Sequence, residues 1–528
     1  MKISRRAFIA SSLCGLVAFR ALGKPPIEGA VWGANHALAH RRSSGGFPAP
    51  SSHRTADVVI VGGGVAGLSA ARRLRAAGIE RVLMVELEAG VGGNSLGGQN
   101  QVSAYPWGAH YLPLPNNSNE ALLEFLREAE VLTLGHKPQY REEYLCASPQ
   151  ERLYMYGKWQ EGLVPQRGVD GAGRAEIVRF HQLVDEYQVK KGRDGRYYFE
   201  IPVRLSSRDP EALALDAITM ERWMRDNNFV SPELHWYVNY CCRDDYGTSY
   251  SDASAWAGLH YFASRRADPV GASPDNVLTW SEGNYWLVKK LKKIVEPEVS
   301  AHSLVYGLES STSGVQVACF DAATQASFRV DARACILAVP HFVRARLCRD
   351  TRPTPYTYAP WIVANVTLRK PPTGEGVPLS WDNVVYNSPL LGYVHAQHQS
   401  LSGAVNETVI TYYYPLSHYP PDLARMIAYN ASLSELQGEF LREIEKVHPE
   451  LDGEIARVDV WIWGHAMSRP TPNVLWPTNS FEERLPPGVF AAHSDQSGIS
   501  IFEEAFYQGI VSGEAVLKHF GKGGVSWV

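Results

Sequence analysis

The chain is poor in the signatures of metal and haem proteins. Seven cysteines occur in 528 residues. None forms a C-x-x-C or C-x-x-C-H, which excludes a zinc site of ribbon or finger spacing and a covalently attached c-type haem. His395 and His398 make a lone His-x-x-His with no third ligand nearby, so they are read as hydrogen-bonded strand or turn histidines rather than as metal ligands. Beyond the first two dozen residues no run approaches the ~18 consecutive apolar residues of a membrane-crossing helix. Positive charge is not in excess either. The 51 Lys and Arg face 55 Asp and Glu, a formal charge of −4. Neither a nucleic-acid surface nor a stable membrane span is expected.

Residues 1–23 carry what the rest lacks. Ser4-Arg5-Arg6-Ala7-Phe8-Ile9 is a twin-arginine pattern, followed by an apolar run from Ala7 to Phe19 and small residues near Ala21-Leu22-Gly23 where a peptidase can cut. This is the signal of the twin-arginine export machinery, which carries folded proteins, and it implies a periplasmic or secreted location. Removing it takes away Lys2, Arg5, Arg6 and Arg20 and no acid, so the charge moves from −4 to −8. Six cysteines then remain: Cys146, Cys241, Cys242, Cys319, Cys335 and Cys348. Cys319 and Cys335 lie in apolar runs and read as inert core residues. Any pairing among the six is left open. Residues 24–56 hold Pro, Gly, Ser and His without periodicity and read as a linker.

The organising stretch is Asp57 to Asn94. Val58 to Val61 is a short β-branched run; Gly62, Gly64 and Gly67 give G-x-G-x-x-G; an Ala/Leu/Arg segment of helical spacing follows through Val65 and Ala66 to Ala77; and a second apolar run, Val82 to Val85, ends in Glu86. This is a dinucleotide-binding βαβ unit. Gly62 permits the tight turn, Gly64 the approach of a pyrophosphate, and Gly67 the close packing of helix on strand. The N–H groups at the helix start face the phosphates, and Glu86 accepts from a ribose.

Gly92-Gly93-Asn94 follows Glu86 after a short interval. Here the sequence resembles the flavoprotein group of amine oxidases, phytoene-type desaturases and protoporphyrinogen oxidases. In that group a Gly-Gly pair after the ribose acid touches FAD. Asn94 departs from the Arg that many of them carry. The resemblance implies FAD as cofactor and an α/β fold: a Rossmann-type, glutathione-reductase-like FAD-binding domain interleaved with an α+β substrate domain. About 470 residues after the linker also exceed one ordinary core. The implied FAD-domain parts are 57–115, 280–345 and 460–528, and the substrate-domain parts are 116–279 and 346–459.

Later landmarks fit that order. Tyr105-Pro-Trp-Gly108-Ala109-His110 matches a turn beside the flavin, and Trp280 to Leu287 matches a Gly-containing turn opening a helix. Val305, in the strand signal from His302, joins the implied cofactor contacts, and Cys335 to Pro340 matches a strand ending in Ala-x-Pro. The closing segment, Phe490 to Gly509, resembles the group's last FAD segment. It places Asp495 at the ribitol or pyrophosphate and the helix start at Ile501 and Phe502 over the flavin pyrimidine.

The resemblance implies an enzyme that moves a hydride from an amine or related small molecule to flavin N5. Two habits of the amine oxidases are missing. Tyr356 to Val366 contains no Lys, and Ile501 and Phe502 stand where a Tyr is common. A quinone or periplasmic electron carrier therefore fits somewhat better than oxygen as acceptor. Trp463 is a candidate substrate-side wall, His465 a candidate general base, and Asp245 a candidate receiver of a cationic amine. Arg243-Asp244-Asp245, set among aromatics, requires either internal pairing or a cavity. A desaturase or isomerase acting on an apolar substrate, and a non-catalytic flavin-binding protein, stay open as alternatives.

Overall fold

The structure is a computed structural model describing residues 26–528 except 351, 353, 355, 401–405 and 477–484. The expected export signal at 1–23 lies outside the described residues.

The β-branched runs of the nucleotide motif lie side by side as parallel strands. Ser52–Val61 is flanked by Val82–Val85, with Ile60 opposite Met84, and by Ala326–Leu337, with Ile60 opposite Ile336. Glu298–Ser300 extends the sheet beyond Val82–Val85, and Val489–Ala491 runs parallel to the end of Ala326–Leu337. The first half of Ala326–Leu337 continues into an antiparallel meander with Gly314–Asp321 and Ser303–Ser311. Alternate residues serve the two faces. Val58, Ile60 and Met84 pack with Leu68, Leu74, Leu287, Leu291, Phe125 and Phe506 from helices Val65–Ala76, Tyr285–Val295, Glu120–Glu128 and Phe502–His519. Val59, Val61 and Val85 pack beneath the meander with Val305, Val317 and Cys335. Burial on both faces is what parallel strands require, and each fully buried Leu or Phe contributes about 1.5–3 kcal/mol.

A second sheet of eight strands runs in the order Val31–Gly33, Ile455–Ser468, Tyr358–Leu368, Thr408–Pro415, Tyr393–His395, Asp382–Val385, Glu151–Met155, Lys158–Glu161. One face packs Ile362, Ala364 and Val366 against Leu436, Phe440 and Ile444 of helix Leu433–Val447. The other presents Trp361, Val363, Tyr413 and Trp463 towards the nucleotide domain. Helices Gly171–Val189, Pro232–Tyr246 and Ala255–Ala263 close the lobe around Phe180, Phe229 and Trp256.

Three expected boundaries move. Residues 26–56 are not a linker. Val31–Gly33 pairs with Val460 to Ile462, helix His36–Ser44 follows, and Ser52 already belongs to the nucleotide sheet. Glu120–Glu128 packs on the nucleotide core, with Phe125 5.3 Å from Phe506, so that domain's first part runs past 115. Ile455–Ser468 pairs along its length with Tyr358–Leu368, so the last nucleotide segment begins after 468 and not at 460. The strand alternates Val458, Val460 and Ile462 on one face with Trp461 and Trp463 on the other. That period-2 pattern holds it in the second sheet. None of the six described cysteines is disulfide-bonded. Among the described residues no helix is long and apolar enough to cross a membrane.

Candidate active site

The three motif glycines have three different surroundings. Gly62 has φ +101°, and a Cβ there would sit 2.3 Å from the Ala338 carbonyl oxygen. A Cβ on Gly67 would lie 2.1 Å from the Gly62 oxygen, so helix and strand touch through it. Gly64 is different: its Cβ would meet only the Gly93 Cα, at 3.8 Å. The backbone there borders open space that a side chain would fill. Gly92 N–H donates to the Gly63 oxygen at 2.9 Å, and Gly92 and Gly93 have φ +147° and +55°. Helix Val65–Ala76 begins at Gly64 with no capping side chain, leaving the N–H groups of Val65, Ala66 and Gly67 for an anion.

Glu86 closes this cradle. Its Oε2 accepts from Gly63 N–H at 2.6 Å and its Oε1 from Glu88 N–H at 2.9 Å. Burial pushes its pKa up, while these backbone donors pull it down. Each oxygen keeps a lone pair for a ribose hydroxyl. Open glycine backbone, an uncapped helix start and a positioned carboxylate together fit a dinucleotide.

Between the domains lies a cavity enclosing about 850 Å³ of empty space, part of it open to solvent. Asn94, Ala109, Ile501 and Phe502 form its nucleotide-domain side, and Trp361, Val363, Tyr413 and Trp463 its sheet side. Trp463 is thus where the sequence placed it, its Nε1–H donating to the Trp107 oxygen at 2.6 Å. Asn94 reaches across and donates to the Ala466 oxygen. Trp361 and Trp463 are cross-strand partners. They and Tyr413 are the aromatic walls of the cavity. Tyr413 donates to the Gly108 oxygen at 3.0 Å and stacks on His110 at 4.4 Å. Burial lowers His110 to a pKa of about 3, so it is neutral. Among the described residues no lysine lines the cavity.

Asp245 lines it, as expected, and so does Asp244. Both stand in the last turn of helix Pro232–Tyr246, before Gly247 at φ +58°. A helix C-terminus disfavours negative charge. Arg243 makes no ion pair with them and offsets the Asp244 charge only in part: its guanidinium donates to Ser417 Oγ at 3.1 Å and to the Ser388 and Pro389 carbonyls. Among the described residues neither aspartate has an ion-pair partner, so the internal salt bridge is absent. Arg265, the nearby cation, pairs with Glu503 at 2.9 Å. Burial, Asp245 and Glu151 raise Asp244 to about 7. Burial raises Asp245 to about 6, with Glu503 adding to the rise and Arg265 opposing it.

Three expected site residues stand elsewhere. His465 does not reach the cavity; it packs on Phe342 at 4.6 Å and Tyr358 at 5.9 Å. Alternation alone would put it beside Trp463. The register, however, shifts between Ala359 and Trp361, whose partners are Met467 and Trp463. Pro360 sits at the irregularity, and the bulge turns His465 away. Its pKa falls to about 4 through burial and the Arg425 charge. Asp495 is held by neighbouring protein groups. It accepts from His341 N–H at 2.8 Å and from Tyr358 Oη–H at 2.6 Å, with His493 Nδ1 3.1 Å away. Burial would raise its pKa, but these neighbours hold it below the usual range. Val305 is a core residue beneath the meander. Ile501 and Phe502 do border the cavity, at a helix start that no side chain caps. His395 and His398 hydrogen-bond to Thr408 Oγ1 and the Ala147 oxygen, each at 2.8 Å.

Arg265, Glu503, Asn284, Tyr111 and Trp361 were not singled out in sequence as site residues, and Asp244 only as part of the run Arg243-Asp244-Asp245. The doublet Asp244-Asp245 just before a helix-ending glycine was the one local signal.

Comparisons with known proteins agree with this geometry. Residues 60–129 match the NAD(P)-binding Rossmann-like domain family. No curated protein matches the chain. Wild-type putrescine oxidase bound to putrescine is 14% identical, with a TM-score of 0.63 over 88% of this chain and 100% of that one. Cyclohexylamine oxidase from Brevibacterium oxydans IH-35A is 14% identical, with a TM-score of 0.61 over 88% and 99%. An oxidoreductase from Methanosarcina mazei is 13% identical, with a TM-score of 0.56 over 87% and 99%. At these identities the likeness shows the fold: an α/β Rossmann-type nucleotide domain interleaved with a second domain, as in these structures.

Proposed function

We propose that the protein is an FAD-dependent oxidoreductase that oxidises a small amine. The observation that carries the reading is the unpaired doublet Asp244-Asp245 on the wall of an aromatic cavity that adjoins the dinucleotide cradle. An acidic site walled by Trp361, Trp463 and Tyr413 attracts a cation through charge and through the ring faces. The structural relatives that act on putrescine and cyclohexylamine point the same way.

FAD, when bound, accepts the hydride from the carbon bearing the nitrogen. The protein's part is to bind, orient and deprotonate. The ammonium enters between the aspartates and the aromatic walls. A carboxylate poised between about 6 and 7 takes one proton from it, leaving a neutral amine whose lone pair can support departure of the hydride. Trp463, fixed by its bond to the Trp107 carbonyl, limits how the substrate turns. The absence of a cavity lysine favours a quinone or a periplasmic electron carrier over oxygen as acceptor, and the twin-arginine pattern at Arg5-Arg6 supports export to the periplasm or beyond. An apolar-substrate desaturase fits less well because its pocket has no use for two aspartates, and a purely binding protein has no use for a cavity beside the flavin.

The test is an absorption spectrum of the purified holoprotein, taken anaerobically before and after adding monoamines, diamines and amino acids. Bleaching of the flavin by amines is the expected result. Flavin that no amine bleaches would overturn amine oxidation, and protein that takes up no FAD would overturn the cofactor assignment.

A further inference from the structure

Asn284 is fixed in the cavity wall by the segment it packs on. Strand Val277–Thr279 pairs antiparallel with Tyr111–Pro113, setting Thr279 opposite Tyr111. The turn that follows passes through Gly283, at φ +61°, where a Cβ would come within 2.8 Å of the Ala109 oxygen and of the His110 Cα. Asn284 N–H then donates to the Ala109 oxygen at 3.0 Å, and its Nδ2–H to the Tyr111 oxygen at 2.8 Å. The residue lines the cavity and is 1% exposed.

The Asn284 Oδ1 has no hydrogen-bond partner among the described residues. Turning the amide round would not supply one, because it would set Oδ1 against the Tyr111 carbonyl oxygen, acceptor against acceptor. Nor does the oxygen serve its own helix. Asn284 is the N-cap of Tyr285–Val295, where an Asn oxygen ordinarily accepts a backbone N–H of the first turn, and here no such bond forms. A buried acceptor withheld from both local uses calls for a donor from a ligand. Tyr111 connects this wall to the acidic one: its ring borders the cavity, and after burial the charges of Asp244 and Asp245 are what raise its pKa.

We infer that Asn284 Oδ1 accepts an N–H of the reacting nitrogen and is the residue that limits how many alkyl groups this nitrogen carries. The inference rests on the amine reading above and adds a specificity-determining residue to it. A bound ammonium needs one N–H for the carboxylate and a second for Asn284. Primary and secondary ammonium ions have both. A tertiary one has a single N–H, which goes to the carboxylate, and Asn284 stays unpaired. The count holds after proton transfer. Once the carboxylate has taken its proton, a neutral secondary amine keeps one N–H for Asn284, which fixes the rotation of the nitrogen and so the direction of its lone pair; a neutral tertiary amine keeps none. A site built to hydrogen-bond its ligand rejects an analogue lacking the donor far more strongly than an apolar pocket rejects one methyl group. Discrimination therefore comes as a step between secondary and tertiary amines rather than as an even loss with each methyl.

The test titrates the anaerobic holoprotein with n-hexylamine, N-methylhexylamine and N,N-dimethylhexylamine, reading heat of binding and flavin bleaching together. Wild type is expected to bind the first two within about threefold of each other and the third at least about tenfold more weakly. Asn284→Leu keeps the volume and removes the acceptor, so at wild-type flavin content it should bring the secondary-to-tertiary ratio to within about threefold. Rejection by bulk alone would survive that substitution. Even losses for the first and second methyl in wild type, or a step that persists in Asn284→Leu, would overturn the inference. Loss of FAD from the variant would assign the acceptor to the cofactor and overturn it as well. A step in binding without any bleaching would uphold Asn284 as the acceptor and remove amine oxidation, so the two readings fail separately.

Discussion

Replacing Asp244 by Asn should stabilise the protein at alkaline pH and leave it nearly unchanged in acid. The carboxyl's pKa rises from 3.8 to about 7 on folding, through burial and then through Asp245 and Glu151. The sign follows directly. Below about pH 3 the group is protonated in both states and its shift has no effect. As pH rises towards 7 the unfolded chain ionises first, so folding is progressively disfavoured, and above 7 the whole penalty is present. At 1.36 kcal/mol per pKa unit that penalty is about 4 kcal/mol. The amide keeps the shape but retains some desolvation cost, so a gain on the order of 2–3 kcal/mol is expected at pH 8. An unfolding entropy of ~2.1 cal/mol/K per residue over ~500 residues converts this to an apparent Tm rise of about 2–3 °C. The assay is thermal unfolding of wild type and variant at pH 8 and pH 4.5, with a gain at pH 4.5 below about 1 °C. Equal shifts at the two pH values, or a loss at pH 8, would refute the reasoning, because a packing or helix-propensity effect carries no such pH dependence.

Other outcomes follow from particular contacts. Gly64→Ala should fold normally yet lose flavin on gel filtration, because its Cβ meets only Gly93 Cα at 3.8 Å, whereas Gly67→Ala, 2.1 Å from a backbone oxygen, should lower the yield of folded protein. Glu86→Gln must turn an NH₂ towards either Gly63 N–H or Glu88 N–H; a cost of about 1–3 kcal/mol should appear as weaker FAD retention in a dilution assay. The half-saturating amine concentration should rise as pH falls from 8 to 5, since Asp244 near 7 and then Asp245 near 6 lose their charge; a flat profile in stopped-flow bleaching would contradict a cation site. His465→Ala should keep its turnover within about twofold of wild type, as a residue outside the cavity does, while Trp463→Ala should lose most of it at unchanged protein yield.

What was legible in the sequence is what depends on near neighbours along the chain. The strand, glycines, helix and acid from Asp57 to Glu86 are one local unit, and each glycine has the surroundings its spacing implied. The failures are failures of distance. Val31–Gly33 reads as linker because its partner lies some 430 residues away at Val460 to Ile462, and no local pattern announces a three-residue edge strand. Alternation along Ile455–Ser468 would set His465 on the face of Trp463, and the irregularity that removes it, Gly464 to Ala466 against the single residue Pro360, shows only once the neighbouring strand is in register. Asp244 and Asp245 are a different case. A helix that ends in two acids contradicts its own dipole, and a cavity that buries them without an ion pair, its one arginine being paired with Glu503, strains the pairing rule. Two rules are strained at one place, with Arg265 and Arg243 offsetting only part of the cost, and the cationic substrate proposed above is the reading that would relieve the rest.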